Sequence, residues 1–512
     1  MNPAIFHPLS SILVLCLVSG CTVGPNYHTP AVPLPDHFGA TTRPVTEHVD
    51  FAHWWTTFND PMLNSLIDRA AADNLDLKIA AARIREARAQ RGVVNAGLYP
   101  SVDTNASYRR SRTSENAFAF NGSGQPGSTG GSTGGASDNT FGAFTPPGAT
   151  TDLFQAGFDA SWEIDVFGGV RRDVEAADAD ISAQIENQRD TLVSLFAEVA
   201  RNYLELRGFQ QQIEIAARNV KIQQDAADVA QSKARLAGGS ELDVARAQAQ
   251  VATTSSQIPA LEIQRDQAAH RLAVLIGREP RALIADLGPA QPIPQGPPEV
   301  PPGLPSDLLR RRPDIRRAER ELAASSARIG VATADLYPKF SITAALGLQS
   351  EQFSHIADWR SRFWDIAPGV SWNLFDAGRI RSNISVQNQR EQQALFRYQQ
   401  NILTALEDVE NALTAYAREQ ARRQLLQQSV DRSRRAVELA NTLYQGGARD
   451  FLNVIDAQRA LALAEDELVQ SDRLIGTDLV ALYKALGGGW DSTNAQSASA
   501  TMKPDEPESQ TK

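Results

Sequence analysis

The sequence predicts a mixed α/β membrane protein in which an internal duplication supplies four strands per chain. The first sign is the repeat itself: residues 75–100 match residues 313–338, pairing Asp76 with Asp314, Ala80 with Ala318, and Leu98-Tyr99-Pro100 with Leu336-Tyr337-Pro338. Further along, SWEIDVFGG at 161–169 answers SWNLFDAG at 371–378, and SELDVARAQ at 240–248 answers DFLNVIDAQ at 450–458. The offset falls from 238 to 210, so the first copy carries about 28 more residues between Pro100 and Trp162. The second sign is periodicity, since in both copies short period-two segments give way to long stretches of helical period. The third is hydropathy: beyond the N-terminus no apolar run reaches eighteen residues, so a membrane span must be built from strands.

Composition narrows the function classes. The 512 residues carry 50 Lys plus Arg against 60 Asp plus Glu, a formal charge of −10, and 42% are hydrophobic. An acidic chain has no general excess of cations for binding polyanions, and no nucleic-acid partner is expected. Two cysteines cannot make a disulfide framework or a cysteine-rich metal site. At the N-terminus, residues 1–20 read as a secretory signal, with an apolar stretch from Ile12 to Val18 too short to span a bilayer. Leu17-Val18-Ser19-Gly20-Cys21 resembles a bacterial lipobox, which implies a diacylglycerol thioether and an N-acyl chain on Cys21. Thr22 after that cysteine, in place of aspartate, implies by the same resemblance delivery to the outer membrane.

Residues 21–74 are expected to form the lipidated N-terminal segment and, by the family resemblance described below, the start of an equatorial region. The first repeat, 75–276, opens with a helix stopped by Pro100. Strands are expected at about 101–111 and 156–165, where Phe158, Ala160, Trp162 and Ile164 alternate with Asp159, Ser161, Glu163 and Asp165. The Gly/Ser/Thr-rich segment between them reads as a long exposed loop. A helical hairpin follows over about 176–276, turning at Gly238-Gly239. After a Pro-rich linker at 277–306, the second repeat, 307–490, follows the same plan. Its strands are expected at about 340–349 and 366–375, with Ile366, Pro368, Val370, Trp372 and Leu374 on one face, and its hairpin at about 384–486 turns at Gly446-Gly447. Residues 491–512 lack an apolar stripe and read as a disordered polar tail.

Alternation with apolar residues outward and polar residues inward is the pattern of membrane strands, although a hairpin in a soluble sheet alternates too. Four strands cannot close an ordinary transmembrane barrel, and open edges cannot face lipid. The chain must therefore share a barrel with copies of itself. A trimer would supply twelve strands; dimer and tetramer closure stay open on strand number alone.

The chain resembles the TolC-like outer membrane factors, specifically the lipidated outer-membrane efflux proteins of tripartite resistance-nodulation-division (RND) pumps. The resemblance rests on CTVGPNY at 21–27, RRPDIRRAE at 311–319, SWNLFDAGRIR at 371–381, the repeated DV/NV-plus-AQ elements and LYKALGGGW at 482–490, and it covers nearly all of residues 21–490. It implies a homotrimer whose twelve-stranded transmembrane β-barrel continues into a long periplasmic α-helical barrel, ringed midway by an equatorial domain. The equatorial material would come from residues near the N-terminus, the linker at 280–305 and the C-terminus. The implied partners are further copies of the chain, outer-membrane lipid, a periplasmic adaptor (membrane fusion) protein and an inner-membrane RND transporter. The implied site is Gram-negative, in the outer membrane and extending into the periplasm.

No nucleophile, metal-ligand or phosphate-loop constellation stands out, so no enzyme, metal or cofactor is expected. Selective passage is the chemistry to look for. The turns at 238–248 and 446–458 would form the periplasmic tip. By resemblance the gate positions are Asp243, Tyr444, Arg449, Asn453 and Asp456, with Asn453 standing where the best-known member has aspartate. The two acids and the Tyr/Arg pair also fit ordinary roles, a helix N-terminal charge or helix–helix contact. Gly238, Gly239, Gly446 and Gly447 are candidate adaptor contacts. The function implied is a passive exit channel for small molecules, drugs or ions. A type I protein-secretion duct and a periplasmic coiled structural or adhesion protein are the alternatives.

Overall fold

The structure, a computed structural model, describes residues 22–39, 51–112, 114, 148, 150–236, 240–300 and 302–490. Signal residues 1–20, Cys21, most of the Gly/Ser-rich loop, Gly238, Gly239 and the tail 491–512 lie outside the described residues. The principal elements are α1 (Pro61–Asp73), α2 (Leu75–Ala96), β1 (Ser101–Arg112), β2 (Thr150–Ile164), α3 (Gly169–Arg235), α4 (Glu241–Leu275), α5 (Pro313–Ala334), β3 (Lys339–Ser350), β4 (Arg362–Ser371), α6 (Arg379–Gln445) and α7 (Phe451–Ala485). The duplication reappears as equal lengths: 22 residues in α2 and α5, 67 in α3 and α6, and 35 in α4 and α7. At about 1.5 Å per residue each long helix reaches roughly 100 Å. No described helix is long and apolar enough to cross a membrane.

The chain divides into two compact units, the first comprising Met1–Pro25, Arg91–Glu175 and Ala327–Gln387. Its centre is an antiparallel sheet in the order β1-β2-β3-β4. The register sorts most side chains by face because the period is two, with Leu153 and Phe363 the apolar exceptions on the polar face and Arg110, Asp152 and Arg362 charged exceptions toward the loop end of the apolar one. Phe158, Leu346 and Trp364 lie in one cross-strand row, and Val102, Phe154, Ile342, Ile366 and Val370 lie on the same face in other rows. Several are strongly exposed, Leu346 at 60% and Trp364 at 71%, which marks an apolar band without a protein partner in this chain. The opposite face carries Asp103, Asn105, Ser107, Gln155, Asp159, Thr343, Gln349 and Asp365. On it the Asn105 Nδ2 donates to Asp159 Oδ2 at 2.6 Å. Gly157 faces Gly347 across β2 and β3, and a Cβ on Gly347 would come within 2.5 Å of the Ala156 carbonyl.

Two strand expectations need correction. The second strand spans Thr150–Ile164 rather than 156–165, because outward Phe154 and Ala156 continue the alternation toward the loop. The fourth spans Arg362–Ser371 rather than 366–375, so Trp372 and Leu374 fall outside it. Trp372 instead turns back, its Nε1 donating to Leu336 O at 3.0 Å. Trp162 does the same in the first repeat, to Leu98 O at 2.9 Å. Each indole thus satisfies a carbonyl in the Leu-Tyr-Pro turn that ends the preceding helix.

The long helices also begin earlier than 176 and 384. Asp165 accepts from Val170 N at 3.1 Å and Arg171 N at 2.9 Å, and Asp376 accepts from Ile380 N at 2.8 Å. These carboxylates pair the free donors of α3 and α6. The chain reaches both starts through glycines with positive φ, Gly168 at 76° and Gly378 at 85°. Just after Cys21, Val23 N donates to Phe167 O at 3.2 Å, and Arg172 Nε donates to Val23 O at 3.0 Å.

The second unit comprises Asn26–Gln90, Ala176–Ser326 and Asn388–Lys512. Here α4 and α7 return antiparallel to α3 and α6, and both end alike. Arg278 N bonds Ala273 O and Gly277 N bonds Val274 O; Gly488 N bonds Tyr483 O and Gly487 N bonds Lys484 O. This is the two-bond glycine cap, which needs a left-handed residue, and Gly277 and Gly487 supply φ of 70° and 75°. The largest core gathers Trp54, Phe58, Leu63, Leu66, Tyr203, Leu272, Leu479 and Tyr483. The three stretches expected to be equatorial contribute Trp54, Leu287 and Tyr483 to it, and the long helices contribute Tyr203, Leu272 and Val409. Trp54 stacks on Tyr483 at 5.2 Å, and Gly489 N donates to Phe51 O at 2.8 Å. The Pro-rich linker is held by Arg207 Nη1 to Pro289 O at 2.9 Å and Gln420 Nε2 to Pro298 O at 3.0 Å. Proline carbonyls are free acceptors in such a segment, so side chains on the long helices take them.

Candidate gate at the hairpin tips

The tips are built by helix ends. α6 closes with Ala448 N donating to Leu443 O at 2.8 Å and Gly447 N to Tyr444 O at 3.1 Å, with Gly447 at φ 72°. α7 starts at Phe451, six residues after the last residue of α6. Asp450 stands at its N-cap without a side-chain cap bond, and its carbonyl accepts from Asn453 N at 3.1 Å and Asn453 Nδ2 at 3.2 Å. In the first repeat, Ser240 caps α4 by accepting from Leu242 N at 3.1 Å, and Glu241 and Asp243 occupy the first turn, where the helix dipole favours anions.

A small apolar cluster joins the two tips. Tyr444, Phe451, Val454 and Ile455 pack with Val244, Ala247 and Ala230. Tyr444 is buried and its ring lies 5.0 Å from that of Phe451. Burial pushes the Tyr444 phenol above its ordinary range, and the negative charge of Asp243 pushes it the same way. Two of the sequence-derived positions, Asp243 and Tyr444, therefore come together within one chain.

The other three do not join them. Arg449 is exposed, and no ion pair links it to Asp243 or to another described carboxylate. Asn453 and Asp456 are exposed and one turn apart on α7, so they share a face. Gly446 and Gly447 are exposed at the tip. Sequence reasoning missed Lys233, near the end of α3, whose Nζ donates to Tyr444 O at 2.5 Å and lies 4.0 Å over the Tyr444 ring. Its only sequence signal is a basic residue in the last turn of a helix. Among the described residues no His/Cys/Asp/Glu group is arranged to hold a metal ion.

A sheet with one apolar and one polar face, joined in sequence to paired helical hairpins with a charged tip, defines an outer-membrane channel subunit. The pattern of the outer membrane efflux protein family matches residues 66–278 and 304–488. The cation efflux system protein CusC of Escherichia coli is 30% identical over 503 residues, covering 96% of this chain and 100% of that protein. The pyoverdine export outer membrane protein OpmQ of Pseudomonas putida is 31% identical over 485 residues, covering 95% and 97%. Among solved structures, the outer-membrane channel OprN superposes with a TM-score of 0.81 at 36% identity, covering 92% of this chain and 100% of that one. The chain belongs to the outer membrane efflux protein family. It is an outer-membrane exit channel of a tripartite efflux system, in a Gram-negative cell and reaching into the periplasm.

Proposed function

We propose that three copies of the chain close a twelve-stranded barrel and that their hairpin tips form its periplasmic gate. The observation that carries this is the sheet. Its outer strands β1 and β4 each have one neighbour in the chain, and its apolar face is exposed. In lipid an unpaired strand edge is too costly to persist, so β1 of one copy pairs with β4 of the next. Ion-pair partners for Arg449 would then come from a neighbouring copy, with Asp243 and Tyr444 holding the tip within each chain. Asp456 would line the constriction beside a neutral Asn453, a weaker cation filter than two acidic rings.

In this reading the channel is passive and catalyses no covalent step. Cargo is chosen upstream, because a cation efflux protein and a pyoverdine export protein resemble the chain almost equally. An inner-membrane RND transporter supplies the energy. A periplasmic adaptor docks at the tips around Gly238, Gly239, Gly446 and Gly447, and acyl chains on Cys21 add an anchor. Planar-bilayer conductance of Arg449→Ala and Asp243→Ala trimers tests the gate. Higher conductance is expected in both, and unchanged conductance in both sinks these roles.

A further inference from the structure

α6 ends without a basic residue in its last turn. The partial negative charge of its terminal carbonyls is therefore not met by a cation of its own helix. Lys233 reaches across from α3 and meets it. The ammonium donates to Tyr444 O at 2.5 Å and sits 4.0 Å from the centroid of the Tyr444 ring. One cation thus answers a helix C-terminus and an aromatic face at once, on the residue that anchors the tip cluster. α3 keeps Arg235 in its own last turn, so Lys233 is free for this task without leaving α3 bare.

The duplication sharpens the point. At the repeat offset of 210, the counterpart of Lys233 is Leu443 and the counterpart of Tyr444 is Ala234. Leu443 has no ammonium to donate, and Ala234 has no ring. The contact therefore belongs to one repeat junction and not to its counterpart. A pattern inherited from duplication alone would have appeared at both.

We propose that Lys233 is a latch residue of the tip, tying the end of α3 to the end of α6 and so opposing separation of the two hairpins of one chain. This deepens the gate reading and rests on it. Lys233 is a positioning residue here: it acts through Tyr444 rather than on the solute.

The test uses full-length trimers with Lys233→Met, Lys233→Gln and Lys233→Arg. One labelled copy, carrying spin labels through Gln231→Cys and Gln445→Cys, is diluted among unlabelled copies so that a single tip distance is read. Planar-bilayer conductance is recorded on the same variants, beside Arg449→Ala and Asp243→Ala. Loss of a charge-assisted bond should shift the closed-to-open ratio by about tenfold or more. The tip distance should lengthen and broaden in Lys233→Met and Lys233→Gln, and both readouts should return to wild type in Lys233→Arg. Use of two neutral variants guards against one that fails to assemble, and trimer mass checks assembly. An unchanged distance in the neutral variants overturns the latch, whatever the conductance. If Arg449→Ala and Asp243→Ala open the channel while Lys233→Met does not, the gate reading stands and the latch falls. If neither of those two variants changes conductance but the distance still lengthens in Lys233→Met, the gate roles fail and the tie between the hairpins remains.

Discussion

α1 shares an apolar core with α3 through Leu63, Leu66 and Ile67, and a polar contact between Tyr203 and Asp60 adds to that packing. Tyr203 is fully buried, and its hydroxyl donates to Asp60 Oδ2 at 2.7 Å. Asp60 Oδ1 meanwhile caps α1, accepting from Met62 N at 2.8 Å and Leu63 N at 3.0 Å, with Pro61 at the first helical position. Burial first, then the bond to Asp60, hold the Tyr203 phenol above its ordinary range. Tyr203→Phe removes one hydrogen bond to a charged group and little volume, so the expected loss is about 1.5–3 kcal/mol. Asp60→Ala removes the cap, about 1 kcal/mol, and strands a buried hydroxyl at about 1–3 kcal/mol more. Amide hydrogen exchange within α1 of the intact assembly reads these losses directly. Each 1.4 kcal/mol appears as about tenfold faster exchange where opening is local, so Tyr203→Phe should accelerate α1 amides by about 10- to 150-fold. The double variant should fall short of the sum, because the two changes remove one shared bond. Unchanged α1 exchange in Tyr203→Phe would refute the reasoning and leave packing as the sole tie.

Leu346 and Ala345 are neighbours on opposite faces of β3. Leu346→Arg should cost about 2–4 kcal/mol if it lies near the bilayer midplane. Ala345→Arg, beside Asp159 and Asp365 in its row, should fold normally and lower cation preference in bilayer recordings; equal destabilisation by both would discredit the assigned faces. Gly330→Val should release the chain just after Cys21, since an added Cβ would sit 2.8 Å from Arg172 Cγ and 3.0 Å from Val23 O. Faster proteolysis within residues 22–27 is the readout, and wild-type resistance would contradict it. Burial, then the charge of Glu419, raise the Asp478 carboxyl to about 6, above the ordinary 3.9 of an unfolded chain. The folded form therefore holds its proton more tightly. That contribution is complete below about pH 4 and is lost as pH rises through about 6. Asp478→Asn should raise the thermal dissociation midpoint of the assembly at pH 7.5, leave it unaltered at pH 4, and flatten the slope between; an unchanged slope would count against it.

Local chemistry and repetition were legible in the chain. The repeat foretold a second strand-and-hairpin unit on the plan of the first, Pro100 marked where the first strand begins, and alternation through Phe158, Ala160, Trp162 and Ile164 marked the apolar face of β2. These features depend on neighbours two to four residues away, so a linear string contains them. Strand ends were less legible. Trp372 continues the alternation of β4 but lies beyond the strand, because β3 begins at Lys339, which pairs with Ser371 and leaves Trp372 no ladder partner on β3. Of the gate positions, Asp243 and Tyr444 come together in one chain, while exposed Arg449 joins neither.

By itself, then, the sequence determined a duplicated strand-and-hairpin plan, through periodicities that backbone geometry imposes, while the channel itself followed from the resemblance of its motifs to a known family. Only the tertiary structure decided which distant groups meet. Lys233 lies 211 residues from Tyr444, and Tyr203 lies 143 from Asp60. No local pattern links such partners, since their pairing is set by how long helices return and stack, and each residue alone looks like an ordinary surface cation or core ring.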